Sequence, residues 1–399
     1  MVEIATDVNR PHVPGDGATV SATVDVEPGE QTAAAERHVL LCLDTSGSMD
    51  GAKLDQAREG AEWVFGLLEP DDYVAIVAFD SEASVVMRPT RWGDTSREAA
   101  MTHVNDLGAG GGTDMYDGLS TARDVLESLA HRPETDDAVR RILLLSDGKD
   151  NSHDPADFEG LAREVDDAGI RILSAGIGTD YAEETIRTLG TTARGEWTHL
   201  ESPGDIEAFF GDAVEQAQSV VATDAELELD AAPGVEVSEV YRALPQAQEV
   251  AVDWAGNTAR VPLPDLAERE RQRVVLKVHA PAHEIGEEVT LVDVTLAAQG
   301  RRAVDRIAVE YTDDNAKLAA HNEDVSLDHR QTVVRTELGK GNVDAAETEV
   351  EKMTRVHGED TQIVRDVQQQ TELVKEGGRA ERDRATRIVD DPGIDPSRE

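Results

Sequence analysis

Cysteine occurs once in the 399 residues, at Cys42, so no intrachain disulfide can form. It lies in the apolar run Val39 to Leu43, where a buried thiol packing as a small hydrophobe is expected rather than a reactive one. Long apolar runs are missing too: Tyr73 to Phe79 and Ile142 to Leu145 fall far short of the roughly 18 residues that a membrane span needs. The start, MVEIATDVNRPHVPGDG, has no basic segment leading into an apolar one, so no secretory signal is expected. Positive charge is scarce: 38 Lys and Arg stand against 82 Asp and Glu, for a net charge of -44. That balance disfavours a nucleic-acid-binding surface.

Only seven of the basic residues are lysine, and the carboxylates are spread along the whole chain. Dispersed acidity of this kind resembles proteins of extreme halophiles. Self-repulsion that would open a compact chain at low salt is screened at 1 M, where the Debye length is about 3 Å. With 39% hydrophobic residues and 32 glycines the composition is that of a globular chain, and the length fits two or three domains. The expectation is a soluble cytoplasmic protein of a salt-rich cell.

Between His38 and Ser219 short apolar runs alternate with amphipathic stretches, the mark of an α/β domain. Strands are predicted at Val39 to Leu43, Val74 to Phe79, Ile142 to Leu145 and Ile170 to Ala175, and more weakly at Val85 to Met87 and Trp197 to Leu200. Leu54, Ala57, Ala61, Val64, Phe65 and Leu68 recur at helical spacing and form one face that should pack on the sheet. Further helices fit Arg97 to Leu107, Met115 to Ala130, Ala156 to Ala168, Ala182 to Leu189 and Ile206 to Gln218. The flanks, Val2 to Val26 and Ala225 to Tyr311, alternate with period two between Pro and Gly, as antiparallel strands do. Neither flank has an evident core of its own, so the first strands are expected to pair with the later ones, with the α/β domain inserted between them. From Asp314 onward helical stretches dominate, at Ala316 to Asn322, Gln331 to Leu338, Val343 to Val356 and Gln362 to Lys375, and the break at Gly339 to Gly341 marks a turn between helices, so that one helical hairpin is expected.

Chemistry concentrates where the first strand of the α/β region ends, in Leu41-Cys-Leu-Asp-Thr-Ser-Gly-Ser-Met-Asp50. Alternate spacing can turn Asp44, Ser46 and Ser48 to one side of the chain. One carboxylate and two hydroxyls make an all-oxygen set suited to a hard cation, and few charged ligands at a tight turn favour Mg²⁺ over Ca²⁺, with Mn²⁺ also fitting. Gly110-Gly-Gly-Thr-Asp114 brings the Thr113 hydroxyl ahead of a predicted helix, and Leu143-Leu-Leu-Ser-Asp-Gly148 ends a second strand in Asp147. In open α/β sheets ligands gather at the carboxyl ends of strands, where Asp44 and Asp147 both fall.

These residues resemble the von Willebrand factor type A family with a metal-ion-dependent adhesion site, whose pattern is D-x-S-x-S, then a Thr in a glycine-rich loop, then an Asp after a central strand. Asp44, Ser46, Ser48, Thr113 and Asp147 match it in order, over about 180 residues. The wider layout is loosely similar to prokaryotic relatives of calcium-activated chloride channel and inter-α-trypsin inhibitor proteins. The resemblance implies a doubly wound, Rossmann-like domain that binds protein without turnover: Mg²⁺ or Mn²⁺ held by the five residues accepts an Asp or Glu carboxylate of a partner. The fold expected is thus an α/β domain at 37–219 inserted in a β-sandwich at 1–36 and 220–312, followed by a helical hairpin at 313–389 and a flexible tail at 390–399.

Other readings compete. Asp44, Ser46 and Ser48 could be ordinary turn and capping residues. Gly108 to Gly112 is not a phosphate loop, since no Lys-Ser/Thr follows it. Asp150 to Asp154 is not a calcium loop, because Pro155 stands where Gly is needed and Leu161 where Glu is. Asp50 and Asp114, beside the motif, either hydrogen-bond to its ligands or face solvent. Some relatives serve as subunits of chelatase-like ATPase assemblies, but no G-x-x-x-x-G-K-[ST] occurs here, so an ATPase would be a separate chain. A hydrolase is disfavoured, as Ser46 has no identifiable base and no G-x-S-x-G elbow.

Overall fold

The computed structural model describes residues 2–30, 36–130, 138–147, 149–150, 152–178, 181–200, 203–359, 361–377 and 379–386. The expected tail at 390–399 lies outside them. The chain forms two compact units, one of Glu30–Ala225 with Leu263–Glu268, the other of Met1–Gly29, Glu226–Pro262 and Arg269–Glu399.

The first unit is built on a six-stranded sheet in the order Ala83–Arg91, Tyr73–Phe79, Arg37–Asp44, Val139–Ser146, Ile170–Ile177, Trp197–Leu200. All neighbours are parallel except the edge strand Ala83–Arg91. In chain order this is 3-2-1-4-5-6, the doubly wound arrangement, whose direction of winding reverses between Arg37–Asp44 and Val139–Ser146. Arg37–Asp44 is buried at all eight positions, as a central strand covered on both faces must be. Its side chains alternate between two cores: Val39, Leu41 and Leu43 face α1 (Ala52–Leu67), while Leu40 and Cys42 face α3 (Met115–Ala130) and α4 (Pro155–Asp167). Burial raises the Cys42 thiol far above its ordinary value, so it stays a packed, unreactive group.

The predicted helical face of α1, from Leu54 to Leu68, is buried in full. Gly60 lets α1 lie close to α6 (Pro203–Gln218), because a Cβ there would come within 2.6 Å of Ile206 Cγ2. The remaining helices are α2 (Arg97–Asn105) and α5 (Glu183–Thr192).

The second unit holds two sheets. The order in one is Glu3–Val8, Ala18–Glu27, Gln272–Ala280, Glu236–Leu244, Gln248–Glu249. The other runs Trp254–Ala255, Thr258–Pro262, Glu226–Ala231, Glu288–Ala298, Arg301–Tyr311, His12–Val13. The N-terminal strands do pair with the later ones, Ala18–Glu27 running antiparallel to Gln272–Ala280 from Ala18↔Ala280 to Val26↔Gln272. The C-terminal region is helical but larger than a hairpin, with α7 (Asn315–Leu318), α8 (Glu323–Gly339), α9 (Val343–His357), α10 (Gln362–Glu376) and α11 (Arg379–Thr386). Leu338, Ala346, Met353, Val364 and Val367 close a shared core of α8, α9 and α10, so a third helix is needed to cover what two would leave exposed. Val333 of α8 packs on Tyr241, Ala243 and Val275 of the sheet, which places these helices in the same unit as the strands. No helix among the described residues is long and apolar enough to cross a membrane.

The expected boundary at 219/220 also shifts. Val220–Ala222 pairs with Leu266–Ala267, and Asp265 is buried against Arg141 at 2.6 Å and Arg171 at 3.0 Å. Arg171 also reaches Asp166 at 2.8 Å and Asp224 at 3.0 Å. Burial would push the Asp265 carboxyl up, but Arg171 and then Arg141 outweigh it and hold it at about 2. Its stabilising effect is therefore present above the unfolded-state value of about 3.9 and is lost as the pH falls toward 2. Asp265→Asn leaves two buried guanidinium groups short of a counter-charge, and a loss of roughly 3–5 kcal/mol is expected in denaturant unfolding at neutral pH. The deficit should shrink on acidification toward pH 2; a loss that ignores pH would remove Asp265 from this role.

Candidate metal centre

Asp44 is the last residue of its strand and is wholly buried. The chain is pinned as it leaves the sheet, since Thr45 donates its N–H and its hydroxyl to Phe79 O at 2.8 and 3.0 Å. Ser46 N–H then turns back to Asp44 Oδ1 at 2.8 Å. A short turn, Gly47–Met49, anchored by buried Met49, brings Ser48 Oγ to 3.0 Å from Ser46 Oγ. The spacing read from the sequence thus places a carboxylate and two hydroxyls at one strand end.

The glycine-rich loop is stitched onto this turn by two backbone bonds, Gly110 N–H to Thr45 O at 2.9 Å and Gly47 N–H to Gly111 O at 3.3 Å. Gly111 has φ +73°, and a Cβ there would sit 3.0 Å from Ser81 Oγ and 3.1 Å from the Asp80 carboxylate. Only glycine takes that conformation in that space without strain. The loop delivers Thr113, buried, to the residue before Asp114 and the start of α3.

The adjacent parallel strand supplies the rest. Ser146 donates its hydroxyl to Asp44 Oδ2 at 2.5 Å. Asp147, wholly buried, follows it; its Oδ2 lies 3.1 Å from the ammonium of Lys53 on α1. Burial pushes the Asp44 carboxyl above its usual range, hydrogen bonds from Ser146 and Ser46 draw it back, and the Asp147 charge adds to the rise. Two buried carboxylates at the carboxyl ends of adjacent strands, at the reversal of the winding, are a costly pair unless positive charge stands between them. The donor set is oxygen throughout, the chemistry a hard cation takes.

Ser146 and Lys53 were not picked out from the sequence. Ser146 could have been, since it ends the strand one residue before Asp147; Lys53 carries no local signal. Asp114 accepts the Asp117 N–H at 2.9 Å as a cap on α3, and Asp50 is exposed. Asp150, Asp114 and His153 come together within 4.8 Å. Yet Asp150 already accepts N–H groups of Met115 at 2.8 Å and Tyr116 at 3.4 Å at the start of α3, with Ser152 at 2.7 Å and His153 at 2.8 Å on its other oxygen. It serves the helix N-terminus, where a carboxylate is favoured by the exposed N–H groups.

A family model, the von Willebrand factor type A domain, matches residues 38–212. Those residues are a von Willebrand factor type A domain. An uncharacterized protein of Synechocystis is 28% identical to the chain over 244 residues, 60% of this chain and 56% of that protein. Inter-alpha-trypsin inhibitor heavy chain H4 of Sus scrofa is 29% identical over 232 residues, 54% of this chain but 24% of the relative. The chain therefore spans about half or less of the length of these curated relatives. A von Willebrand factor type A structure from Catenulispora acidiphila shares the fold over 94% of this chain and 89% of its own, with a TM-score of 0.76 at 22% identity. That coverage extends beyond the von Willebrand domain itself into the strands and helices of the second unit.

Ser146→Ala removes a buried donor from a buried carboxylate, so a destabilisation of about 1–3 kcal/mol is expected in chemical denaturation. No loss would mean that the Asp44 carboxyl is solvated by other means.

Proposed function

We propose that the chain is a non-catalytic, metal-dependent protein-binding protein whose Asp44, Ser46, Ser48, Thr113 and Asp147 together hold Mg²⁺ or Mn²⁺. The observation that carries this reading is the convergence of two wholly buried carboxylates, Asp44 and Asp147, with a hydroxyl pair 3.0 Å apart at the switch point of the sheet. When bound, the cation would supply a position for an Asp or Glu carboxylate of a protein partner. Asp44 is held in place by Ser46 and Ser146, so its orientation needs no rearrangement on loading. Thr45 and Gly110 lock the hydroxyl-bearing turn to its neighbours, leaving Ser48 exposed at the rim where a partner would arrive.

Lys53 lowers the charge the two carboxylates present and stands against metal entry at Asp147. The acidic excess fits a cytoplasm of high salt, where long-range attraction between proteins is screened and contact coordination is not.

Affinity capture from a native lysate in molar KCl tests the reading. A protein retained by the wild type with Mg²⁺, and lost both with EDTA and with Asp44→Ala, is the expected result. Equal capture in all three would place the interaction away from the metal centre. Separately, Lys53→Gln should tighten Mn²⁺ at the site roughly fivefold, as removal of a nearby like charge does. Water-proton relaxation, with Asp44→Ala setting the background of the acidic surface, reads this out. Unchanged or weaker binding would exclude competition by Lys53.

A further inference from the structure

Positive charge is rare in this chain, yet it gathers around one cavity of the second unit. A space of about 220 Å³ lies among Asn9, Ser21, Lys277, Ser326, His329, Arg330, Glu349 and Lys352. Every lining side chain is polar or charged, and two of the seven lysines are among them. The cations come from three elements: Lys277 from strand Gln272–Ala280, Arg330 from α8 and Lys352 from α9.

The internal pairing leaves donors in excess. Glu239 takes Lys277 at 2.7 Å on Oε1 and faces His329 at 3.2 Å with Oε2. Glu349 takes Arg330 at 2.5 Å on one oxygen and Lys352 at 2.9 Å on the other. Both carboxylates are thus fully engaged. Each ammonium has three N–H donors and the guanidinium five, so most of them are not consumed by these bonds. Three permanent cations meet two carboxylates, a local positive excess in a chain whose net charge is -44. Hydroxyls line the same space: Ser326 Oγ, which accepts the Asn9 amide at 3.1 Å and bonds His321 Nε2 at 2.8 Å, and that of Ser21.

We propose that this cavity binds the phosphate group of a small metabolite. A tetrahedral dianion offers oxygens in several directions and can accept from strand, α8 and α9 at once, with guanidinium and ammonium groups giving the charge-assisted bonds it favours. A monocarboxylate has two coplanar oxygens and would leave one of the three cations unused. The volume is below the range of about 300–1,000 Å³ typical of drug-sized ligands, which restricts the occupant to a small molecule.

Calorimetric titration of the full chain with inorganic phosphate, in molar KCl with EDTA present, tests this. Saturable one-to-one binding is expected, weakened about tenfold by Lys277→Gln and by Lys352→Gln, and unchanged by Asp44→Ala. Lys352 is half exposed, so its replacement leaves the fold intact even if Lys277→Gln proves destabilising by circular dichroism. Absence of saturable binding, binding indifferent to Lys352→Gln, or succinate binding as tightly as phosphate would each overturn the assignment.

Discussion

Two carboxylates have to be kept wholly out of water at the ends of two neighbouring strands, and much of the α/β unit is arranged to permit it. Asp44 ends a strand with no exposed residue, so nothing but its immediate neighbours can compensate its charge. Ser46 N–H, the Ser146 hydroxyl and the Lys53 ammonium beside Asp147 supply that compensation. The doubly wound order is what makes it possible, because reversal of the winding leaves a crevice between the two strands that no crossover helix fills.

The same scarcity of positive charge shapes the rest of the molecule. Most of the basic residues lie at the surface, but a few arginines, Arg37, Arg141 and Arg171 among them, are buried against acidic partners. Arg141 and Arg171 fasten the return segment Leu263–Glu268 through Asp265, Arg37 pairs with buried Asp72, and Lys53 sits against buried Asp147. Dispersed carboxylates outside are tolerable where salt screens them, while inside the low dielectric makes each arginine–aspartate contact count. The cationic cavity of the second unit stands out against that background for the same reason.

The periodicities of the α/β region and the strand-end motifs were legible because they are local. Helix α1 reads directly from Leu54 to Leu68, and Asp44, Ser46 and Ser48 lie within five residues of one another. The order Asp44, Thr113, Asp147 was visible as well, since each stands next to an apolar run or a glycine cluster that marks the end of an element. That Asp150 accepts N–H groups at the start of α3 lay beyond the reach of spacing.

What the residue pattern by itself determined is the class of each segment and the oxygen chemistry at the strand ends, for both depend on neighbours a few positions apart. Tertiary structure alone decided the rest: the hydroxyl of Ser146 on Asp44, the ammonium of Lys53 on Asp147, the capture of Asp265 by Arg141 and Arg171, and the packing of α8, α9 and α10 around one core. Each of these joins groups separated by tens to more than a hundred residues, and partners at such separation are chosen by the need to bury apolar surface and to pair buried charge, which no local period encodes.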